Sequence, residues 1–290
     1  MRLITFRVGG GSRVGVVRDH DEVVELSEPA DMLSLIEAGE DGLAAARAAL
    51  SSSRARARRL AGLELLSPLP EPHGNIIAIG RNYRKHAEET AVMEGREPSP
   101  PTVFTKAITS LAGPFADIAI DPNVSDRIDW EVELGVVIAR KGANIKRSAA
   151  RGFVFGYTVV NDVTARDIQS GWGGQYFKGK SLDRTSPTGP WIVTDDELPD
   201  PQSLRLRLHV NGTLKQDGHT GDMIYPVDAI IEWVSIGMTL LPGALIATGT
   251  PDGVGFARTP PEFLKPGDLM ETEVEGIGTL RNRIVSAARD

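Results

Sequence analysis

Apolar residues alternate with polar ones, or form short runs, along most of the chain beyond residue 75, and both patterns are typical of β-strands. Turn-forming pairs such as Asn211-Gly212 and Pro242-Gly243 separate the runs. The pattern predicts strands over Asn75–Gly80, Trp130–Ala139, Gly156–Val160, Trp191–Val193, Leu204–Val210, Leu245–Thr248, Leu269–Val274 and Thr279–Val285. Apolar residues at helical spacing predict helices over Met32–Ala49, Tyr83–Met93 and Val227–Ser235. The expected fold class is α+β, mainly β, rather than a regular βαβ array.

A proline-rich stretch divides the chain into two predicted units. Residues 1–66 combine three short strands with the helix over Met32–Ala49, which predicts a small N-terminal α/β domain. The sequence Ser-Pro-Leu-Pro-Glu-Pro-His-Gly at 67–74 is predicted to be a linker. Residues 75–290 then form the main domain, which holds the candidate catalytic residues.

The composition removes several classes of function. The 290 residues include no cysteine, which excludes disulfides, thiolate zinc sites, iron–sulfur clusters and cysteine nucleophiles. Lys and Arg number 32 against 39 Asp and Glu, and the net charge of −7 disfavours nucleic acid as a partner. No apolar run approaches the roughly 20 residues of a membrane span, and the first residues lack a secretion signal. We expect a cytoplasmic protein with no membrane partner, in which oxygen or imidazole ligands hold any metal.

Two glutamates lie at the start of the strand predicted over Trp130–Ala139. The period of two places Glu131 and Glu133 on one face. Neighbouring carboxylates repel each other and are costly to bury, and a divalent cation removes both penalties. Asp162 follows another predicted strand, and a third carboxylate joining the pair would suit Mg²⁺ or Mn²⁺, with Ca²⁺ as a substitute in vitro. The alternative is a solvated strand face, with Asp162 as a turn residue.

A histidine and a glutamate lie three residues apart on the helix predicted after residue 82. His86 and Glu89 therefore share a helix face and can hydrogen-bond. A carboxylate on one imidazole nitrogen raises the basicity of the other, which is what a general base that activates water requires. The alternative is an ordinary surface ion pair. Lys180, which follows Gly179, could likewise approach an anionic ligand or lie in solvent.

From about Asn75 to Val285 the chain resembles the fumarylacetoacetate hydrolase family, because seven motifs occur in the family's order. They are Ile79-Gly80-Arg81-Asn82-Tyr83-x-x-His86, Glu131-x-Glu133-Leu134, Asn161-Asp162-x-Thr164-x-Arg166-Asp167-x-Gln169, Gly179-Lys180-Ser181-x-Asp183, Pro187-x-Gly189-Pro190, Val210-Asn211-Gly212 and Thr248-Gly249-Thr250-Pro251-x-Gly253-Val254-Gly255. Each motif is weak alone, and the seven in order are specific. Residues 1–66 resemble, more loosely, the small variable N-terminal domain of bacterial members.

This resemblance implies a mixed β-sandwich roll as the main domain, assembled as a homodimer. It implies Mg²⁺ or Mn²⁺ bound by Glu131, Glu133 and Asp162. It also implies that His86 and Glu89 form a dyad that activates water, on a helix that can order over the substrate.

The resemblance assigns further residues to the substrate. Lys180 matches the family lysine that stabilises developing negative charge, and Lys178 is left without a role. Arg166 and Gln169 match residues near the substrate, and Thr250 lies in a loop that binds its carboxylate.

The activity implied is that of a Mg²⁺- or Mn²⁺-dependent hydrolase. The substrate would be a small anionic oxo acid, a β-diketo acid of the acylpyruvate or fumarylacetoacetate type, whose carbon–carbon bond is cleaved in catabolism. An oxaloacetate decarboxylase, or an isomerase of 2-oxo or 2-hydroxy dienedioates, are alternatives because the same enolate-stabilising site serves all three reactions. A non-enzymatic ligand-binding module is disfavoured, since a binder has no need of a general base.

Overall fold

A computed structural model describes residues 1–19, 21–52, 56–90 and 100–287. The predicted helix end at Met93 and most of the predicted loop Glu94–Pro101 lie outside these residues. Within them the helices are α1 (Met32–Glu37), α2 (Glu40–Ser51), α3 (Arg84–Glu89), α4 (Arg166–Gly171), α5 (Phe177–Lys180) and α6 (Val227–Ser235). None of the helices in these ranges is long and apolar enough to cross a membrane.

Most of the described chain forms β-structure, as the alternating pattern predicts. The strands are β1 (Arg2–Val8), β2 (Gly11–Arg18), β3 (Glu22–Glu25), β4 (Ala57–Arg59), β5 (Ile76–Gly80), β6 (Thr102–Lys106), β7 (Leu111–Ala112), β8 (Ile118–Ile120), β9 (Ile128–Asp129), β10 (Val132–Ile138), β11 (Val154–Asn161), β12 (Thr164–Ala165), β13 (Ser186–Thr194), β14 (Arg205–Val210), β15 (Thr213–His219), β16 (Leu245–Ala247), β17 (Leu269–Val274) and β18 (Gly278–Ser286). This mixed, mainly β architecture confirms the expected fold class.

The strands form one large sheet and one smaller sheet, with β9 and β12 as a separate pair. The large sheet has the order β4-β3-β2-β1-β13-β11-β10-β16-β5-β6, and β7 pairs with β13. The smaller sheet has the order β15-β14-β17-β18-β8. Most neighbours in the large sheet are antiparallel, while β16 and β5 run parallel.

The large sheet is covered on both faces. Leu134 on β10 and Tyr157 on β11 belong to one buried cluster with Leu208 and Met270 of the smaller sheet. Residues that face the other side of the sheet, such as Val137, belong to a second cluster that includes side chains of α1. As a result β10 and β11 are buried at every position, including their polar ones.

The first four strands extend the large sheet rather than forming a sheet of their own. Leu3 on β1 pairs with Ile192 on β13. Leu3 and Val14 also share a buried cluster with Val137 and Leu245 of the main unit. The two predicted units therefore share a sheet and a core. Their division into a small N-terminal domain and a main domain stays a prediction.

The helix predicted over Met32–Ala49 is two helices, so this prediction is wrong in detail. Gly39 lies between α1 and α2 with a φ of 56°, a positive value that glycine adopts readily and that a continuous helix does not allow. Asp31 caps α1, where its Oδ1 accepts the N–H of Ser34 at 2.8 Å. The apolar spacing continues across Gly39, which is why periodicity alone missed the break.

Candidate active site

The three carboxylates predicted to bind metal meet at one edge of the large sheet. Val132 at the start of β10 lies opposite Asn161 at the end of β11, so Glu131 and Asp162 are neighbours just beyond that pair. The Asp162 N–H donates to the Glu131 carbonyl at 2.9 Å. One carboxylate oxygen from each of Glu131, Glu133 and Asp162 lies within 4.8 Å of the others. All three side chains are buried, so the alternative of a solvated strand face is wrong.

Two buried lysines contact this carboxylate triad. Lys180 ends α5, and its Nζ lies 2.7 Å from Glu131 Oε2 and 2.8 Å from Asp162 Oδ2. Lys106 ends β6, and its Nζ lies 2.5 Å from Asp162 Oδ1. Lys178 is exposed, so the geometry agrees with the choice of Lys180 over Lys178.

An arginine at the start of α4 contacts the other side of the triad. Arg166 Nη2 lies 2.7 Å from Glu131 Oε1, and Nε donates to Asp129 Oδ2 at 2.8 Å. Nη1 donates to Gln169 Oε1 at 3.1 Å. The guanidinium carbon lies 4.2 Å from the centroid of the Phe256 ring. Four neighbours therefore hold the Arg166 side chain in one position.

Burial and charge move the pKa values of the two glutamates in opposite directions. Burial would raise the pKa of Glu131, but the charges of Lys180 and Arg166 bring that pKa down to about 2. Burial raises the pKa of Glu133 well above its ordinary value, and the negative charges of Asp162 and Glu131 raise it further. The environment therefore favours the ionised form of Glu131 and the protonated form of Glu133, and a cation held by the triad would favour the ionised form of both.

The donor set fits a divalent cation. Four buried carboxylates (Asp129, Glu131, Glu133, Asp162) and three buried cations (Lys106, Arg166, Lys180) leave one negative charge in excess when all are ionised. A divalent ion held by the triad would turn that excess into one positive charge, which suits an anionic substrate. Buried carboxylate oxygens are ligands that Mg²⁺ and Mn²⁺ accept.

The predicted histidine–glutamate pair is present on α3. His86 Nδ1 lies 2.8 Å from Glu89 Oε1. The N–H of Gly253, in the loop after β16, points at both Glu89 oxygens at 3.0 and 3.2 Å. His86 is 7% exposed, so the pair is not an ordinary surface ion pair. With Nδ1 bonded to the carboxylate, Nε2 is the nitrogen that can accept a proton.

A cavity of about 230 Å³ adjoins these groups. Of the predicted site residues, those that line it are His86, Glu131, Glu133, Arg166, Gln169, Lys180 and Thr250. The Thr250 hydroxyl donates to the Val132 carbonyl at 2.9 Å and accepts from Gln216 Nε2 at 2.8 Å. That hydroxyl therefore holds the start of β10, and its contact with a substrate stays a prediction.

Sequence reasoning missed two charged residues of the site, Lys106 and Asp129. Asp129 continues the period-two series of Glu131 and Glu133, and this signal could have identified it. Its Oδ1 accepts the N–H of Gly255 at 2.7 Å, which joins the Arg166 side to the loop after β16. Lys106 carried no comparable signal, because its partner Asp162 lies 56 residues further along the chain.

Residues 75–285 match the family model described as fumarylacetoacetate (FAA) hydrolase C-terminal. The match covers most of the chain, and the chain therefore belongs to the fumarylacetoacetate hydrolase family. Members of this family are enzymes, which further disfavours the alternative of a non-enzymatic ligand-binding module.

Several relatives carry the name oxaloacetate tautomerase, and YisK and Fahd2a are two of them. YisK of Bacillus subtilis is 45% identical over 225 residues, which are 78% of this chain and 74% of YisK. Fahd2a of Rattus norvegicus is 40% identical over 257 residues, which are 89% of this chain and 80% of Fahd2a.

Two solved structures share the whole fold. A fumarylacetoacetate hydrolase from Exiguobacterium antarcticum superimposes with a TM-score of 0.85 at 36% identity, covering 99% of this chain and 100% of the other. Maleylpyruvate hydrolase from Sphingobium sp. SYK-6, solved with manganese (II) ion and pyruvate, has a TM-score of 0.81 at 30% identity with the same coverage.

Proposed function

We propose that this protein is a divalent-metal-dependent enzyme that interconverts the keto and enol forms of oxaloacetate. The observation that carries the proposal is that His86, held by Glu89, lines the same small cavity as Glu131 and Glu133 of the buried triad. The names of the two relatives, at 40 and 45% identity, support oxaloacetate as the substrate. The hydrolase expected from the sequence stays a prediction and becomes the second candidate.

The metal's residues and its contribution follow from the donor set. Glu131, Glu133 and Asp162 would hold Mg²⁺ or Mn²⁺, which would polarise the 2-oxo group of the substrate when bound. Lys180 supplies a fixed positive charge beside the triad. Burial lowers the pKa of Lys180, but Asp162 and Glu131 raise it by more, so the ammonium keeps its proton and can stabilise an oxyanion.

The proton transfers belong to His86. In the keto-to-enol direction its Nε2 accepts a proton from C3 of oxaloacetate as the C2–C3 double bond forms. His86 then transfers the same proton to the oxygen on C2, so that no atom is gained or lost. The Glu89 carboxylate, fixed by the Gly253 N–H, stabilises the imidazolium between the two steps.

The same dyad favours hydrolysis as the second candidate. A histidine that can take a proton from carbon can also take one from water, which would attack the distal carbonyl of an acylpyruvate. The maleylpyruvate hydrolase structure, with its manganese and pyruvate, supports this activity in a protein of the same fold. The homodimer and the cytoplasmic location implied by the resemblance stay predictions.

A single assay separates these activities. Enolic oxaloacetate is mixed with the protein and Mg²⁺, the enol absorbance is followed, and the total oxaloacetate and pyruvate are measured at the end. We expect faster loss of enol with total oxaloacetate conserved. Pyruvate released from oxaloacetate would instead support the decarboxylase. Pyruvate released when an acylpyruvate replaces oxaloacetate in the same assay would support the hydrolase.

Variants test the site in the same assay. His86→Ala should slow the interconversion by about 10²- to 10⁴-fold, the usual contribution of a general base. His209→Ala is the matched control, because His209 lies on β14 of the smaller sheet. Glu131→Gln should remove the rise in melting temperature that Mg²⁺ causes. If His86→Ala turns over normally, the dyad has no part in the reaction.

A further inference from the structure

Arg81 has a backbone conformation that a side-chain-bearing residue rarely adopts. It follows β5 directly and has a φ of 59°, in the left-handed region that favours glycine. The next residue, Asn82, is buried and fixes this turn: its Nδ2 donates to the carbonyls of Tyr225 at 3.0 Å and Thr248 at 2.8 Å. The turn is therefore imposed by its neighbours, and glycine would adopt it with less strain.

Arg81 lines the cavity, and within the described ranges its guanidinium has no carboxylate partner. Arg81 is half-buried, and its Nη2 donates to the phenolic oxygen of Tyr176 at 3.0 Å. Arg166 and Lys180, which line the same cavity, each contact two carboxylates. Among the described residues that line the cavity, Arg81 is thus the one permanent cation with no anionic partner.

A chain of contacts connects Arg81 to the lysine of the triad. The Tyr176 ring packs edge-on against Phe104, with centroids 5.4 Å apart. Lys180 Nζ lies 5.3 Å from the Phe104 centroid. Tyr176 and Phe104 therefore connect Arg81 to Lys180. Arg81 adds to the cavity a cationic group that is separate from the cations in contact with the triad.

We propose that Arg81 binds the distal carboxylate of a short 2-oxo dicarboxylate and so selects diacids over 2-oxo monoacids. This inference rests on the proposed function, which places the 2-oxo acid end of the substrate at the triad. An arginine fork matches a carboxylate with two charge-assisted hydrogen bonds. The cavity of about 230 Å³ is smaller than the roughly 300–1,000 Å³ of most ligand pockets, which suits a short substrate.

The test measures binding and needs no turnover. Dissociation constants are measured by calorimetry in Mg²⁺ for two matched pairs of ligands: 2-oxobutanedioate with 2-oxobutanoate, and 2-oxopentanedioate with 2-oxopentanoate. The unmodified protein should bind the diacid about 10- to 100-fold more tightly in at least one pair, the factor expected for hydrogen bonds between charged groups. Equal binding within both pairs overturns the inference.

Substitutions then assign the preference to Arg81. Arg81→Gln should bring the two dissociation constants of a pair together, and Arg81→Lys should restore part of the difference. Arg84→Gln is the matched control, because Arg84 is an exposed residue of α3 that lines a different cavity. A diacid preference that survives in Arg81→Gln contradicts the inference.

A last variant separates selectivity from folding. Arg81→Gly should keep the melting temperature, since glycine suits the left-handed turn, while losing the diacid preference. If Arg81→Gly and Arg81→Gln lose both ligands of a pair equally, Arg81 is structural and the inference fails. If the enol assay shows no activity while Arg81→Gln still abolishes a diacid preference, the proposed function fails and this inference stands.

Discussion

The cations in and beside the cavity form two groups, the triad end (Lys106, Arg166 and Lys180) and the Arg81 end, and the two groups hold their positive charges in opposite ways. At the triad, Lys106, Arg166 and Lys180 are buried, and each contacts at least one carboxylate. At the other end Arg81 is half-buried, and its contact within the described chain is the neutral phenol of Tyr176. Charge is compensated at the first end and left available at the second.

This difference separates what the protein needs to fold from what it needs to select a ligand. A buried charge costs free energy unless a partner neutralises it, so the triad and its cations stabilise the fold only as a complete set. A partly exposed cation such as Arg81 is solvated and does not depend on a protein partner. Substitutions at the triad should therefore change stability, and those at Arg81 should change selectivity.

The largest effect is expected from Asp162→Asn, which removes the carboxylate that Lys106 contacts. The variant should lose about 3 kcal/mol of unfolding free energy, because a buried ammonium is left without its anion. It should also lose the Mg²⁺-dependent rise in melting temperature. Denaturant unfolding in chelator and in Mg²⁺ measures both effects.

Asp217→Asn is the control for this experiment. Asp217 pairs with Arg205 at 2.5 Å, but both side chains are largely exposed on the smaller sheet. Its removal should change the melting temperature little and leave the Mg²⁺ effect intact. Equal losses in the two variants would show that the triad has no special role in the fold.

A smaller effect concerns the pH dependence of the metal-free protein, through Glu133. Its folded-state pKa is raised by burial and by its two neighbouring carboxylates, so folding favours the protonated form. Stability from this group is complete below the ordinary glutamate pKa of about 4.3 and falls as the pH rises towards the raised value. Thermal unfolding in chelator between pH 4 and 8 should show this slope.

Glu133→Gln provides the control for the pH experiment. The amide cannot ionise, so the slope that Glu133 causes should disappear in this variant. Glu131 cannot produce the same slope. Its pKa is lowered to about 2, so its contribution to the stability of the fold is lost only in acid. A slope that is the same in both proteins would assign the effect to another group.

The sequence predicted the carboxylates of the triad end better than its cations. Glu131 and Glu133 carry a local signal, because two carboxylates on one face of an apolar strand are unusual unless something neutralises them. Their meeting with Asp162 depends on the register of β10 against β11, and the sequence showed only that strands were present. Lys180 was identified by its resemblance to the family motif, and its contacts with the carboxylates required the fold.

Lys106 and Arg81, to which sequence reasoning gave no role, make their contacts over long distances in the chain. Lys106 contacts Asp162, and Arg81 contacts Tyr176, which is 95 residues away. No pattern within one segment reports such pairs. The break at Gly39 shows the same limit locally, because apolar periodicity does not sense backbone conformation.

The smallest effect is expected from Tyr176→Phe, which removes the hydroxyl that holds Arg81 but keeps the ring that packs on Phe104. The diacid preference should fall by about threefold, the weight of one hydrogen bond to a neutral group. Phe256→Leu is the comparison, because it removes the ring beside Arg166. Asp129, Glu131 and Gln169 still hold that guanidinium, so both ligands of a pair should weaken equally and their ratio should not change. The reverse result, with the ratio changed by Phe256→Leu and not by Tyr176→Phe, would place diacid selection at Arg166 and remove the distinction between the two ends.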